Sequence, residues 1–258
     1  MILAVAAGNT HVTFGCIDEN NEIGEIMRIS TQLSETALGY AVRFREIFQF
    51  LNVDPKSIEG AVLSSVVPPL GQALREAVFR LTGKDPLVVG AGVKTGLRMK
   101  VDDPGTVGAD LVCAAVAAKE EYPLPCVVVD MGTATTLTVV DREGSYIGGA
   151  ILPGAVLSLD ALTRGASLLP QIDLVRPAKA VSSSTVECMR SGILYGSAGA
   201  VDGLLERFEE ELKERVFVVA TGEIAPSIAP YCRHSVHFDD RLILKGLGII
   251  YRKNQKRS

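Results

Sequence analysis

Three short stretches combine glycine with hydroxyl, amide or carboxyl side chains directly after an apolar run. Such turns present backbone N–H groups and small donors to an anion, and glycine admits a phosphate closely. Gly8-Asn9-Thr10 follows the apolar residues 2–6, and Gly132-Thr133 follows residues 126–130, which end in Asp130. A carboxylate cannot receive a phosphate directly, so Asp130 would work through a bound cation or water. A plain hairpin turn is the competing reading of Gly132-Thr133. The third stretch, Thr221-Gly222 before Glu223, ends an apolar run at 218–220, where an adenine ring can lie against backbone. Gly108-Ala109-Asp110 opens a helical pattern. Asp110 there is either an acid favoured by the helix dipole or a general base for a substrate hydroxyl.

These turns recur in a longer repeated order. Residues 2–6 and 11–17 read as β segments around the first turn, residues 18–21 as a turn, and 22–29 as a third strand with Ile23, Ile26 and Ile29 spaced among polar residues. The same order returns as 126–130, 135–140, 141–144 and 145–151. Two β-β-β units, each followed by helical segments, argue for an α/β protein of two similar halves. Helices are predicted over 38–51, 70–81, 109–121, 156–164, 185–213 and 242–251, and short strands over 60–64, 86–89 and 215–220. The proline-rich break Tyr122-Pro123-Leu124-Pro125 marks the boundary, giving halves of 1–122 and 123–258.

At 258 residues, 47% apolar and 22% charged, the chain has ordinary globular composition, which excludes disorder, collagen and coiled coil. No stretch reaches the length of a membrane span, and the start lacks a basic leader, so a cytoplasmic location is expected. A net charge of −4 argues against nucleic-acid binding, and the basic ending Arg252, Lys253, Lys256 and Arg257 reads as a solvated tail. The odd, scattered set Cys16, Cys113, Cys126, Cys188 and Cys232 reads as buried reduced thiols. His234 and His237 sit in no metal or triad motif, which leaves them polar structural roles.

Taken together, these motifs resemble those of the type III pantothenate kinases, in the acetate and sugar kinase, chaperone and actin superfamily. The likeness runs through Gly8-Asn9-Thr10, Ser64-Ser65-Val66-Val67-Pro68-Pro69, Gly92 to Leu97, Val107 to Asp110 and Asp130 to Thr135. It continues through Gly148-Gly149, Pro153-Gly154, Thr185-Val186-Glu187 and Ala220-Thr221-Gly222. The resemblance implies two ribonuclease-H-like halves of the β-β-β-α-β-α type, as in actin-like ATPases. It also implies ATP-dependent phosphorylation of pantothenate, the opening step of coenzyme A synthesis, by a homodimer with the substrate site at its interface. Carried over residue by residue, Asp110 is the proton acceptor and Val101, Gly108, Ala109, Leu111 and Thr185 are substrate-pocket positions. Gly8, Asn9, Thr10, Gly132, Thr133, Thr221 and Gly222 face ATP. Asp130 holds an activating monovalent cation, K⁺ or NH₄⁺, and Mg²⁺ accompanies ATP.

Four positions depart from the family pattern. Its first phosphate loop reads Asp-x-Gly-Asn-Thr, where this chain has Ala6, and an alanine cannot hold Mg²⁺ or its waters. Its Gly-Ala-Asp-Arg ends here in Leu111, which offers no fork to a carboxylate or phosphate. A tyrosine is replaced by Val101 and a glycine by Glu223. Asp18 and Asp102 are the candidates for replacing the carboxylate lost at Ala6. Two alternatives to the kinase therefore stand at this point: a catalytically impaired paralogue that binds nucleotide or regulates an intact kinase, and a kinase with a less polar acceptor alcohol.

Overall fold

Residues 2–7 are apolar throughout, which suits a strand covered on both faces, and in the computed structural model they form a central strand. The structure describes residues 1–255. In chain order the strands and helices are β1 (Ile2–Ala7), β2 (His11–Ile17), β3 (Met27–Ser30), α1 (Ala37–Phe50), β4 (Gly60–Ser65), α2 (Pro68–Thr82), β5 (Leu87–Val88) and β6 (Arg98–Met99). There follow α3 (Ala109–Glu121), β7 (Cys126–Met131), β8 (Ala134–Val140), β9 (Ser145–Pro153), α4 (Ala155–Gly165), α5 (Thr185–Leu212), β10 (Phe217–Thr221), α6 (Ala225–Ile228), β11 (Val236–Phe238) and α7 (Leu242–Asn254).

The chain divides into two compact units. The first contains the sheet β3-β2-β1-β4-β5, in which β1 runs antiparallel to β2 and parallel to β4. Parallel pairing requires a crossover, which α1 supplies between β3 and β4 and α2 between β4 and β5. Thr36 caps α1 by accepting the Gly39 N–H at 3.1 Å, and Tyr40, Phe44 and Phe48 recur every fourth residue to bury one face. Their rings meet Phe14, Leu63, Leu70 and Leu74 in a continuous core, with Phe14 and Phe44 centred 4.9 Å apart. Each such side chain contributes about 1.5–3 kcal/mol by leaving water.

The second unit repeats the plan. Its sheet runs β11-β10-β7-β8-β9-β6, so β9-β8-β7-β10-β11 reproduces the first sheet's order and β6 adds an outer edge strand parallel to β9. Val127, Val129, Leu137 and Val218 pack against Leu194, Ala198, Val201 and Leu205 of α5. The two-half α/β architecture expected from the repeat is thus the one observed.

The boundary differs from the expected 1–122 and 123–258. Residues 98–101 belong to the second unit, because β6 joins β9, and the described residues from Arg241 belong to the first. The physical reason is α7, which packs on β1, β2 and β4. It also approaches α3 so closely that a Cβ at Gly246 would overlap the carbonyl of Cys113. Two residues of the basic ending are accordingly part of the fold. Arg252 donates to the Asp18 carbonyl at 2.9 Å and Lys253 to Glu120 at 2.8 Å, while Lys256 and Arg257 lie outside the described residues.

Other differences have local causes. The third strand, expected over 22–29, forms at Met27–Ser30, because the Asp18 carboxylate takes the N–H groups of Asn20 and Glu22 at 2.8 Å each and holds them in a turn. The short elements β6, α6 and β11 have too little periodicity to be read from sequence. Cys113 and Cys126 are buried, but Cys188 is exposed, which corrects the expectation for that thiol. Burial pushes the Cys16 thiol up to about 11 and the Cys126 and Cys232 thiols up to about 12. His234 bonds Asp202 at 2.9 Å through Nδ1, and the His237 ring lies 5.3 Å from that of Tyr122. No helix among the described residues is long and apolar enough to cross a membrane.

Candidate active site

In the second unit, β7 ends in Asp130-Met131 and turns through Gly132-Thr133 into β8. The turn closes by Gly132 N–H donating to Ala134 O at 3.0 Å, and Gly154 N–H ties Thr133 O from the end of β9 at 3.1 Å. Register places Thr136 of β8 and Thr221 of β10 directly opposite Asp130, one on each side. Directly paired residues project from the same face of a sheet, so the three side chains form a row. The next residue, Gly222, has φ +95, and a Cβ there would stand 2.5 Å from Asp130 Oδ1 and 2.6 Å from Met131 O. Only glycine therefore lets the β10 turn close over the carboxylate. Thr133 and Glu223 are exposed, whereas Thr221 is buried.

The first unit presents the matching turn. Gly8 N–H donates to His11 O at 2.9 Å, with Asn9 and Thr10 exposed at the tip. Thr31, just past β3, holds this turn twice: its hydroxyl donates to Gly8 O at 2.7 Å and its N–H to Thr10 O at 2.8 Å. Ala6 pairs with Thr13 on β2 and Ser64 on β4. Asp18 cannot stand in for the missing carboxylate. It follows Ile17, which pairs with Ile2, and Ala6 lies four residue steps further along β1, roughly 13 Å.

Gly108, Ala109, Asp110 and Leu111 lie together at the start of α3. Asp103 caps the short turn Pro104–Thr106 that leads there, accepting the Gly105 N–H at 3.0 Å. The Asp110 carboxylate folds back over Gly108, where a Cβ would stand 2.5 Å from Oδ1, and it accepts the Leu111 N–H at 2.8 Å. Burial raises the Asp110 carboxyl above its ordinary range, and the backbone N–H groups of Leu111 and Asp110 itself offset part of that rise. One turn on, Cys113 is fully buried.

Val101 and Thr185 occupy other parts of the second unit. Val101 follows β6, the edge strand three positions across the sheet from β7. Thr185 is exposed at the first helical position of α5, after the cap Ser184. Glu187 and Arg190 tie that first turn to the preceding segment: Glu187 accepts the Ala178 N–H at 3.0 Å, and Arg190 donates to Asp173 O at 3.2 Å. Thr31, Thr136 and Arg190 are positions that sequence reasoning missed. No local spacing marks any of them.

The comparison with known proteins bears directly on this arrangement. The type III pantothenate kinase family model matches residues 2–207. The chain belongs to that family. It is 41% identical to the type III pantothenate kinase of Moorella thermoacetica, over 98% of this chain and 100% of that one. It is 42% identical to that of Koribacter versatilis, over 99% and 96%. Among solved structures it resembles an activator of 2-hydroxyisocaproyl-CoA dehydratase from Clostridium difficile with bound ADPNP, at TM-score 0.59 and 12% identity over 100% and 98% of the two chains. A ROK family protein from Streptococcus pneumoniae in complex with sucrose follows at 0.55 and 11%, over 100% and 99%. At such identity these likenesses bear on the fold alone, and they agree with the duplicated α/β architecture.

Within the type III pantothenate kinase family, the two units of this chain differ in what they offer a cation. Around Asp130 the carboxylate and two threonines form an oxygen-bearing row that fits a cation. The residues at Ala6 do not fit one, since a methyl group stands where an oxygen ligand is needed.

Proposed function

We propose that the protein transfers the γ-phosphoryl group of ATP to the hydroxyl of pantothenate, with Asp110 as the proton acceptor. The carrying observation is the Asp110 carboxylate at the start of α3, whose proton affinity burial raises toward that of a working base. The hydroxyl oxygen forms the new bond to phosphorus while the bond to the leaving ADP oxygen breaks. Asp110 takes the hydroxyl proton. Gly8, Asn9, Thr10, Gly132, Thr133, Thr221 and Gly222 are the protein's nucleotide-binding positions, carrying hydroxyl, amide and turn groups of the kind that bind phosphate. By likeness to the family, Gly108, Ala109, Leu111, Val101 and Thr185 are its acceptor-binding positions. When bound, Mg²⁺ would neutralise phosphate charge, and Asp130 would hold the monovalent cation.

The same reading makes the protein a cytoplasmic homodimer. Ile151, Leu168 and Val181 of the second unit, 75%, 91% and 85% exposed, are apolar surface that a second copy would cover. Light scattering of the purified protein measures this directly.

Ala6 and Leu111 favour a second reading, in which nucleotide binds but turnover is slow or the acceptor is a less polar alcohol. Mass detection of phosphopantothenate after incubation with ATP, Mg²⁺, K⁺ and pantothenate, beside an Asp110→Asn control, separates the two. Product that disappears in the control supports the kinase. No product, with nucleotide still bound, supports the second reading.

A further inference from the structure

Thr136 Oγ1 is buried and has no hydrogen-bond partner, a state no other side-chain nitrogen or oxygen shares among the described residues. Buried hydroxyls nearly always find a partner, because desolvation without one costs free energy, so an orphan signals a missing water or ion. Its location narrows the choice. Thr136 lies directly across from Asp130 and on the same face of the sheet, with Thr221 on the far side. The Gly222 turn closes over the carboxylate from β10. A carboxylate and hydroxyls without nitrogen or sulfur ligands suit a hard cation.

We propose that Thr136 Oγ1 is a direct ligand of a monovalent cation shared with Asp130, and that the hydroxyl sets how tightly the cation is held. The proposal rests on the reading of Asp130 as the cation's carboxylate. It also says why one unit alone takes the ion: the equivalent row in the first unit is Thr13, Ala6 and Ser64, without a carboxylate.

The test measures unfolding temperature against KCl concentration at constant ionic strength, balanced with choline chloride, without substrates. A ion that binds only the folded state raises this temperature with a concentration dependence that reports its affinity. Wild type and Thr136→Ser are expected to respond alike. Thr136→Val, which removes the hydroxyl but keeps the shape, is expected to need roughly tenfold more K⁺. Its unfolding temperature without K⁺ should not fall, since the orphaned group is gone. Asp130→Asn should abolish the response. If Thr136→Val responds as wild type does while Asp130→Asn does not, the Thr136 proposal is overturned and the Asp130 reading stands. If wild type shows no K⁺ response, both fall. Should the valine variant fail to fold, Tl⁺-soaked wild-type crystals decide: an anomalous peak in contact with both Asp130 and Thr136 supports the proposal, and a peak away from Thr136 overturns it.

Discussion

Ala6 and Asp130 occupy the same position in the two units. Each lies at the C-terminal end of a central strand, flanked by a hydroxyl residue on either neighbouring strand: Thr13 and Ser64 for Ala6, Thr136 and Thr221 for Asp130. The framework of the site is therefore present twice, and the second copy alone has a carboxylate at this position.

Restoring that carboxylate is the direct test of its importance. Ala6→Asp is expected to raise the turnover number by about 10²–10³, the usual worth of one preorganised electrostatic contact. ADP release at saturating ATP and Mg²⁺ measures it, and an unchanged rate would show that the metal contact at this position does not limit turnover.

Asp110→Asn removes the base while keeping its shape, and turnover should fall about 10²- to 10⁴-fold. The pH profile of the parent enzyme carries the sign of the Asp110 shift. A base with a raised pKa loses function as pH falls through that raised value, so the acid limb of kcat/KM should lie above the ordinary carboxylate range. Because burial disfavours the charged form, the asparagine variant should also unfold at a higher temperature at neutral pH, and the gain should vanish at acid pH where the parent carboxyl is protonated.

Leu111→Arg places a guanidinium beside Asp110. A neighbouring cation favours the carboxylate, so the acid limb should move to lower pH. If the position faces the substrate's carboxylate, KM for pantothenate should fall about 10- to 100-fold, since a charge-assisted hydrogen bond is worth about 1.5–3 kcal/mol. Initial rates across pH measure both, and an acid limb that stays in place would separate position 111 from Asp110 electrostatically.

Gly222→Ala should destabilise the second unit by about 2 kcal/mol or more. Alanine is strained at φ +95, and its Cβ would crowd Asp130 Oδ1 and the Met131 backbone, which cannot swing aside. Urea unfolding monitored by circular dichroism reports the loss, and an unaltered midpoint would contradict the close approach.

Asp202 links α5 to the chain before β11, accepting N–H bonds from Arg233 at 2.8 Å and His234 at 3.1 Å. Burial pushes its carboxyl up, but these bonds and the His234 ring outweigh burial and hold it below the usual range. A group with a depressed folded pKa stabilises above its unfolded value, near 3.8, and that contribution is lost as pH falls through the folded value. Asp202→Asn should therefore cost about 1–3 kcal/mol at neutral pH. The cost should shrink below pH ~4, as unfolding curves at neutral and acid pH will show.

The sequence by itself determined the duplicated hairpins, most of the helices and the placement of Asp110 at a helix start. Those features rest on local periodicity, glycine punctuation and capping, which act between residues a few positions apart. Tertiary structure decided what depends on register and on distant contacts. The β7–β8 turn is one residue shorter than the β1–β2 turn, since Met131 pairs with Thr135 where Ala7 pairs with Val12. That single residue puts Thr136 rather than Leu137 across from Asp130. Strand geometry removed Asp18 from the site, Thr31 reached the Gly8 turn from beyond β3, and the contact of Gly246 with Cys113 returned α7 to the first unit. In each case the deciding contact joins residues far apart in the chain, and sequence spacing carries no signal for such contacts because packing and strand pairing alone bring them together.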